Sequence, residues 1–178
     1  MAVLSWNEIK TRAAAFVSGW SGKAPSAREE ADAQTFQIDF FNIFGVDRKK
    51  VAIFEEKVRL YKDSQPGLFG DEGGASGYID CFWPGHILIE MKSPGKTGEQ
   101  ARLEKAYQQA KKYALALDQK DFPKAILICD FVNFHYYNLL EDGKRYQFTL
   151  AELSQYIELF GDLAGYKETE SFKKWDPV

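Results

Sequence analysis

Apolar residues recur at helical spacing in four parts of the chain. Three of these parts follow a Ser or Thr with Glu three residues later, the pattern of a helix N-terminus. Ser5-Trp6-Asn7-Glu8 predicts a helix over 6–20, and Ser26-Ala27-Arg28-Glu29 predicts one over 27–44. In the latter Phe36, Phe40, Phe41 and Phe44 form the stripe and Gly45 is placed to end it. Thr149-Leu150-Ala151-Glu152 predicts a helix over 150–160, closed by Gly161. The fourth covers 98–117, with Leu103, Tyr107, Ala110, Ala114 and Leu117 on one side. Between the helices the period shortens. Strands are predicted at 51–61, 78–83, 86–92, 124–131 and 134–140, the last closed by a turn at Glu141-Asp142-Gly143. The stretch 62–77, rich in Gly, Ser and Asp, reads as a mobile loop. The order is that of a mixed α/β domain built on one sheet.

Residues 78–96, YIDCFWPGHILIEMKSPGK, place charges in an apolar hairpin. Asp80 and Glu90 would lie about 33 Å apart on one extended strand, but Pro84-Gly85 folds the segment back. With Pro84 to His86 as the loop, Trp83 pairs with Ile87 and Asp80 faces Glu90, their side chains about 5 Å apart. Lys92, two residues beyond Glu90, points the same way, while Ile89 and Met91 point to the core. Two carboxylates so close repel unless a proton or a cation intervenes. Two carboxylates, a backbone carbonyl (that of Met91) and waters suit Mg²⁺, with Mn²⁺ as a substitute. Such an ion polarises a phosphoryl oxygen and activates water, and Lys92 would hold or deprotonate that water and offset developing charge. The plainer alternative is that these charges form the solvent face of a hairpin.

Composition narrows the field. With 178 residues, 45% of them hydrophobic, the chain suits one domain with a substantial core. No apolar run reaches membrane-spanning length, and Cys81 and Cys129 in apolar strands predict reduced core thiols in a cytoplasmic protein. Two cysteines and two histidines at scattered positions exclude a zinc site. His86 and His135 read as a turn residue and a strand residue. A net charge of −3 argues against a general nucleic-acid binder, but Lys92 to Lys112 holds six basic and two acidic residues, a local balance of +4. That patch includes Lys96 and Lys105 and would suit phosphate contacts.

Asp80, then Glu90-Met91-Lys92 on the following strand, resembles the PD-(D/E)xK nuclease superfamily, although Ile79 stands where its proline would be. Gln109 and Tyr113 in QAKKY resemble the Q-x-x-x-Y pair of its RecB-like branch, which borders the active site and the DNA. Over most of the chain, LSWNEIKTRAAAFV, ADAQTFQIDFFNIFGV, VAIFEEKV, the hairpin, KAYQQAKKY and YIELFGDLAGY resemble the N-terminal endonuclease domain of bifunctional type IIG (IIL) restriction–modification enzymes. The resemblance implies a restriction-endonuclease-like core: a central mixed sheet flanked by helices, with two N-terminal helices and one C-terminal helix. It implies Mg²⁺-dependent cleavage of double-stranded DNA by Asp80, Glu90 and Lys92. It also implies that residues 1–178 are one nuclease domain, a fragment or subunit working with methyltransferase and target-recognition domains on the same or a partner chain.

Lesser candidates are Asp32 and Gln34, on a helix that flanks the metal site in that superfamily, and Glu56, favoured over its neighbour Glu55 on the first strand. Phe69 has no assigned role. The competing function is a non-catalytic DNA-binding or interaction module that keeps the nuclease fold as a scaffold. The intact acidic–basic set favours the enzyme.

Overall fold

A computed structural model describes residues 3–57, 78–95 and 97–166. The stretch 62–77 with Phe69, and also Lys96, lie outside the described residues. Helices α1 (Trp6–Ser21) and α2 (Glu29–Ile43) lead to a single turn, α3 (Arg48–Val51). Strands β1 (Ile53–Lys57), β2 (Tyr78–Trp83) and β3 (Ile87–Met91) follow. Helix α4 (Glu99–Leu115) crosses to β4 (Ala125–Cys129), and β5 (Asn133–Asn138) and β6 (Lys144–Thr149) complete the sheet. The six strands lie in sequence order. All neighbours are antiparallel except β3 and β4, whose parallel pairing requires the α4 crossover.

Alternation along β3 sorts the two cores. Ile87, Ile89 and Met91 pack with Phe16, Trp20, Phe36, Phe40 and Phe41 of α1 and α2. Leu88 joins Phe82, Ile126 and Ile128 under Leu103, Ala106, Ala110 and Ala114 of α4. The predicted phenylalanine stripe of α2 is buried throughout. Phe36 meets Phe16, Trp20 and Phe131 edge-on at 5.0–5.1 Å between ring centroids. Gly45 ends α2 as predicted. At φ +72° its N–H donates to Asn42 C=O and the Val46 N–H to Phe41 C=O, which satisfies two terminal carbonyls.

Four expectations need correction. Helix α2 starts at Glu29, not Ala27, because Ser26 lies in a 3₁₀ turn (Ala24–Ser26) and caps nothing there. The C-terminal helix is mostly 3₁₀: a turn at Leu150–Glu152, one α turn α5 (Leu153–Tyr156), then 3₁₀ through Ile157–Ala164. Its capping box is nonetheless formed, the Thr149 N–H and hydroxyl both meeting Glu152 Oε2. Strand β6 is additional. Its Lys144, Arg145 and Gln147 stay exposed, as befits a polar edge, and only Phe148 is buried. The short turn α3 is also additional.

Cys81 and Cys129 are buried and free, and burial pushes the Cys81 thiol up to about 12, so it stays protonated. Among the described residues no helix is long and apolar enough to cross a membrane.

Candidate functional site

The hairpin loop sets everything at its far end. Trp83 pairs with Ile87, Phe82 with Leu88 and Cys81 with Ile89, where the paired ladder ends; Asp80 and Glu90 are the next residues along the two strands. This is the register that a three-residue loop predicts. Tertiary contacts pin it. The Gly85 N–H donates to Asp121 C=O at 3.0 Å. His86 Nδ1 meets Asp162 Oδ2 at 2.6 Å, and Lys124 Nζ donates to Asp162 Oδ1 at 2.9 Å. Burial raises the Asp162 pKa, but His86 and Lys124 outweigh it and hold the carboxyl below its usual range. A one-residue slip would turn Asp80 away from Glu90, so this anchor protects the site from the opposite end. Asp162→Ala removes the acceptor for both partners and is expected to cost about 1–3 kcal/mol, read by urea denaturation at pH 7.

Asp80 Oδ2 accepts the Met91 N–H at 2.7 Å across the end of the β2–β3 ladder. The Lys92 N–H points the other way, to Cys129 C=O on β4. By the alternation of strand backbone, the Met91 carbonyl therefore faces the Asp80 side. Glu90 is 7% exposed. Its Oε1 accepts from Lys92 Nζ at 3.1 Å, and its Oε2 is buried without a hydrogen-bond donor. Burial first, then the charge of Asp80, pushes Glu90 up to about 8 against the pull of Lys92. A buried carboxylate oxygen that lacks a donor, beside a second carboxylate, marks a place that a proton or cation completes. Among the described residues no three His, Cys, Asp or Glu side chains converge as a metal cluster.

Burial would lower the Lys92 pKa, but Glu90 and Glu29 outweigh it and hold it above the usual value. Lys92 is therefore an ammonium, a donor and a positive charge rather than a free base. Its second partner, Glu29 Oε1 at 3.5 Å, is the first residue of α2. The candidate expected from this helix, Asp32, lies about one turn further on. Asp32 Oδ2 instead accepts the Arg28 N–H at 2.8 Å and serves the helix start. Gln34 lies beside the site: with Glu29, Glu30, Ala33, Gln37, Arg48 and Asp80 it lines a cavity of about 400 Å³.

Tyr113 of α4 reaches the site's electrostatic field. Its hydroxyl pKa is raised by burial first and then by Glu90, with Lys92 opposing and Asp80 adding. Gln109, one turn earlier, is exposed, and so is Lys105. On β1, Phe54 pairs with Cys81 and Glu56 with Ile79, so the register sets Glu55, not the favoured Glu56, level with Asp80. His135 is 1% exposed and neither ring nitrogen has a hydrogen-bond partner, and burial first, then Arg145, lowers its pKa.

No curated protein and no solved structure gives a significant match to the chain. One protein family does: the profile described as MmeI, N-terminal domain, matches residues 11–178, which include the hairpin and all the side chains just described. MmeI is a type IIG restriction–modification enzyme. By that match the chain belongs to the family of MmeI N-terminal domains.

Proposed function

We propose that the chain is the Mg²⁺-dependent DNA endonuclease domain of a restriction–modification system, built on a PD-(D/E)xK core and acting in the cytoplasm. Family membership supports the setting. The observation that carries the chemistry is the donor-less, buried Glu90 Oε2 beside Asp80, with Lys92 on the same hairpin.

Asp80 and Glu90 would hold the cation, with the Met91 carbonyl on the Asp80 side. All are hard oxygens suited to Mg²⁺ or Mn²⁺. Bound there, the ion would supply Lewis-acid polarisation of a phosphoryl oxygen and a more acidic water. Lys92, kept charged by Glu90 and Glu29, would donate to the attacking water and offset the negative charge that grows on phosphorus-bound oxygen. Arg102, Lys105, Lys111 and Lys112 on α4 follow the site in sequence and offer positive charge to the DNA backbone. Target choice and methylation would lie with recognition and methyltransferase domains on the same or a partner chain.

The test is cleavage of a plasmid by the chain joined to those domains. Cutting in Mg²⁺ that stops with EDTA and in Asp80→Asn supports the reading. DNA binding without metal-dependent cutting would favour the non-catalytic scaffold instead.

A further inference from the structure

Strand alternation seats His135 under α4. Its neighbours two residues away on β5 both reach that helix. Asn133 Nδ2 donates to Glu99 Oε1 at 3.1 Å, and the Tyr137 ring stacks on Tyr107 with centroids 3.5 Å apart. His135 lies between them on the same face, below the stretch that holds Leu103 and Ala106, both buried. Across the sheet its partners are Ile128 of β4 and Gln147 of β6. A neutral imidazole carries one donor and one acceptor, and neither finds a hydrogen-bond partner among the described residues.

Counter-charges for an imidazolium are near but committed elsewhere. Asp130, at the end of β4, accepts the Val132 and Asn133 N–H groups on Oδ1 and Asn133 Nδ2 on Oδ2. Glu104 of α4 accepts from Gln108 Nε2 at 3.0 Å and from the Tyr137 hydroxyl at 3.4 Å, and it faces Arg145 of β6 at 3.8 Å. Glu99 takes Asn133, and Tyr107 and Tyr137 take each other. Burial first, then Arg145, favours the neutral ring over the pull of Asp130 and Glu104.

We propose that His135 is a proton-operated release for α4: the neutral ring lets the helix seat on the sheet, and a proton on it loosens the helix. The proton turns both ring nitrogens into donors with no acceptor in place and sets a charge under an apolar helix face. Strands β4 and β6 hold β5 from both sides through backbone ladders, so the easier response is for α4 to lift and admit water. The seat is favoured above the ordinary histidine value of 6.5 and loses that support as pH falls below it. Helix α4 carries Lys105, Gln109 and Tyr113, so any consequence for DNA rests on the nuclease reading above, whereas the seating does not.

The experiment is hydrogen exchange of the whole chain from pH 8 to pH 5, corrected for the intrinsic pH dependence of exchange and read by mass spectrometry. Protection of α4 in the wild type should fall about tenfold towards pH 5, while that of α1 stays level. His135→Gln and His135→Phe do not titrate there and should hold α4 protection level. Their difference from the wild type cancels Glu99, Glu104 and every other group that titrates in all three. A second readout needs no variant at position 135. The chain has two histidines, so the His135 imidazole is resolved by NMR once His86→Gln assigns the other. It should stay neutral while α4 is protected and gain charge as protection falls. Three results would each overturn the proposal: wild-type α4 protected equally at pH 8 and pH 5, the same loss of protection in both His135 variants, or an imidazole that charges while α4 stays protected.

Discussion

Millimolar Mg²⁺ is expected to raise the melting temperature of the chain at pH 8 and to leave it nearly unchanged at pH 5. The reason is competition for Glu90. Its carboxyl titrates near 8 in the folded chain against an ordinary 4.5. Between those values the folded state therefore binds the extra proton. Without metal, the contribution of Glu90 is fully present below about pH 4.5, falls as pH rises through about 8, and is flat above. The fall is on the order of 5 kcal/mol. A cation that replaces the proton restores part of that loss, so its effect grows with pH, to about 2.7 kcal/mol at a hundredfold excess over Kd. Glu90→Gln should remove both the slope and the Mg²⁺ response, and Asp80→Asn should remove the response. His135 works in the opposite sense. Its folded pKa is lowered from 6.5, so its contribution is lost as pH falls through that value. The difference between wild type and Glu90→Gln, melted from pH 5 to 9 with Mg²⁺ or EDTA, isolates the Glu90 part. A Mg²⁺ response that survives in Glu90→Gln would place the cation elsewhere.

Lys92→Ala should lower cleavage by about 10²–10³-fold, the usual cost of losing a donor aimed at developing charge. DNA affinity and methylation should stay near wild type, because in the proposed mechanism Lys92 would act on the attacking water and the transition state rather than on ground-state binding. The same plasmid, scored for both cutting and methylation in the joined protein, separates the two activities. The variant should still respond to Mg²⁺ in melting, since Asp80 and Glu90 remain. Lys92→Ala cutting at wild-type rate would remove Lys92 from the mechanism while leaving the acidic pair intact.

The family assignment points to a restriction–modification system, and the proposed chemistry would lie on the hairpin. Much of that placement was legible locally. Pro84-Gly85 between two alternating apolar runs predicts the hairpin and its loop, and the loop brings Asp80 and Glu90 to the same end of it. Such register is a short-range property, decided by turn chemistry and by which side chains must be buried. The phenylalanine stripe of α2 and its Gly45 terminus are likewise written into neighbouring residues.

What the sequence by itself determined, then, is most of the elements and the hairpin that carries Asp80, Glu90 and Lys92. Tertiary structure decided the rest. The start of α2 follows Ser93, not the nearby Ser26, because a hydroxyl brought in by folding satisfies the Glu29 N–H better than the local turn can. That choice makes Glu29 rather than Asp32 the acid beside Lys92. The polar edge strand β6 is specified by its pairing with β5, since its exposed face carries little apolar signal. The depth at which Glu90 lies, which raises its pKa and leaves Oε2 without a donor, comes from the packing around it. Burial is a property of the assembled layers, and no local pattern of residues contains it.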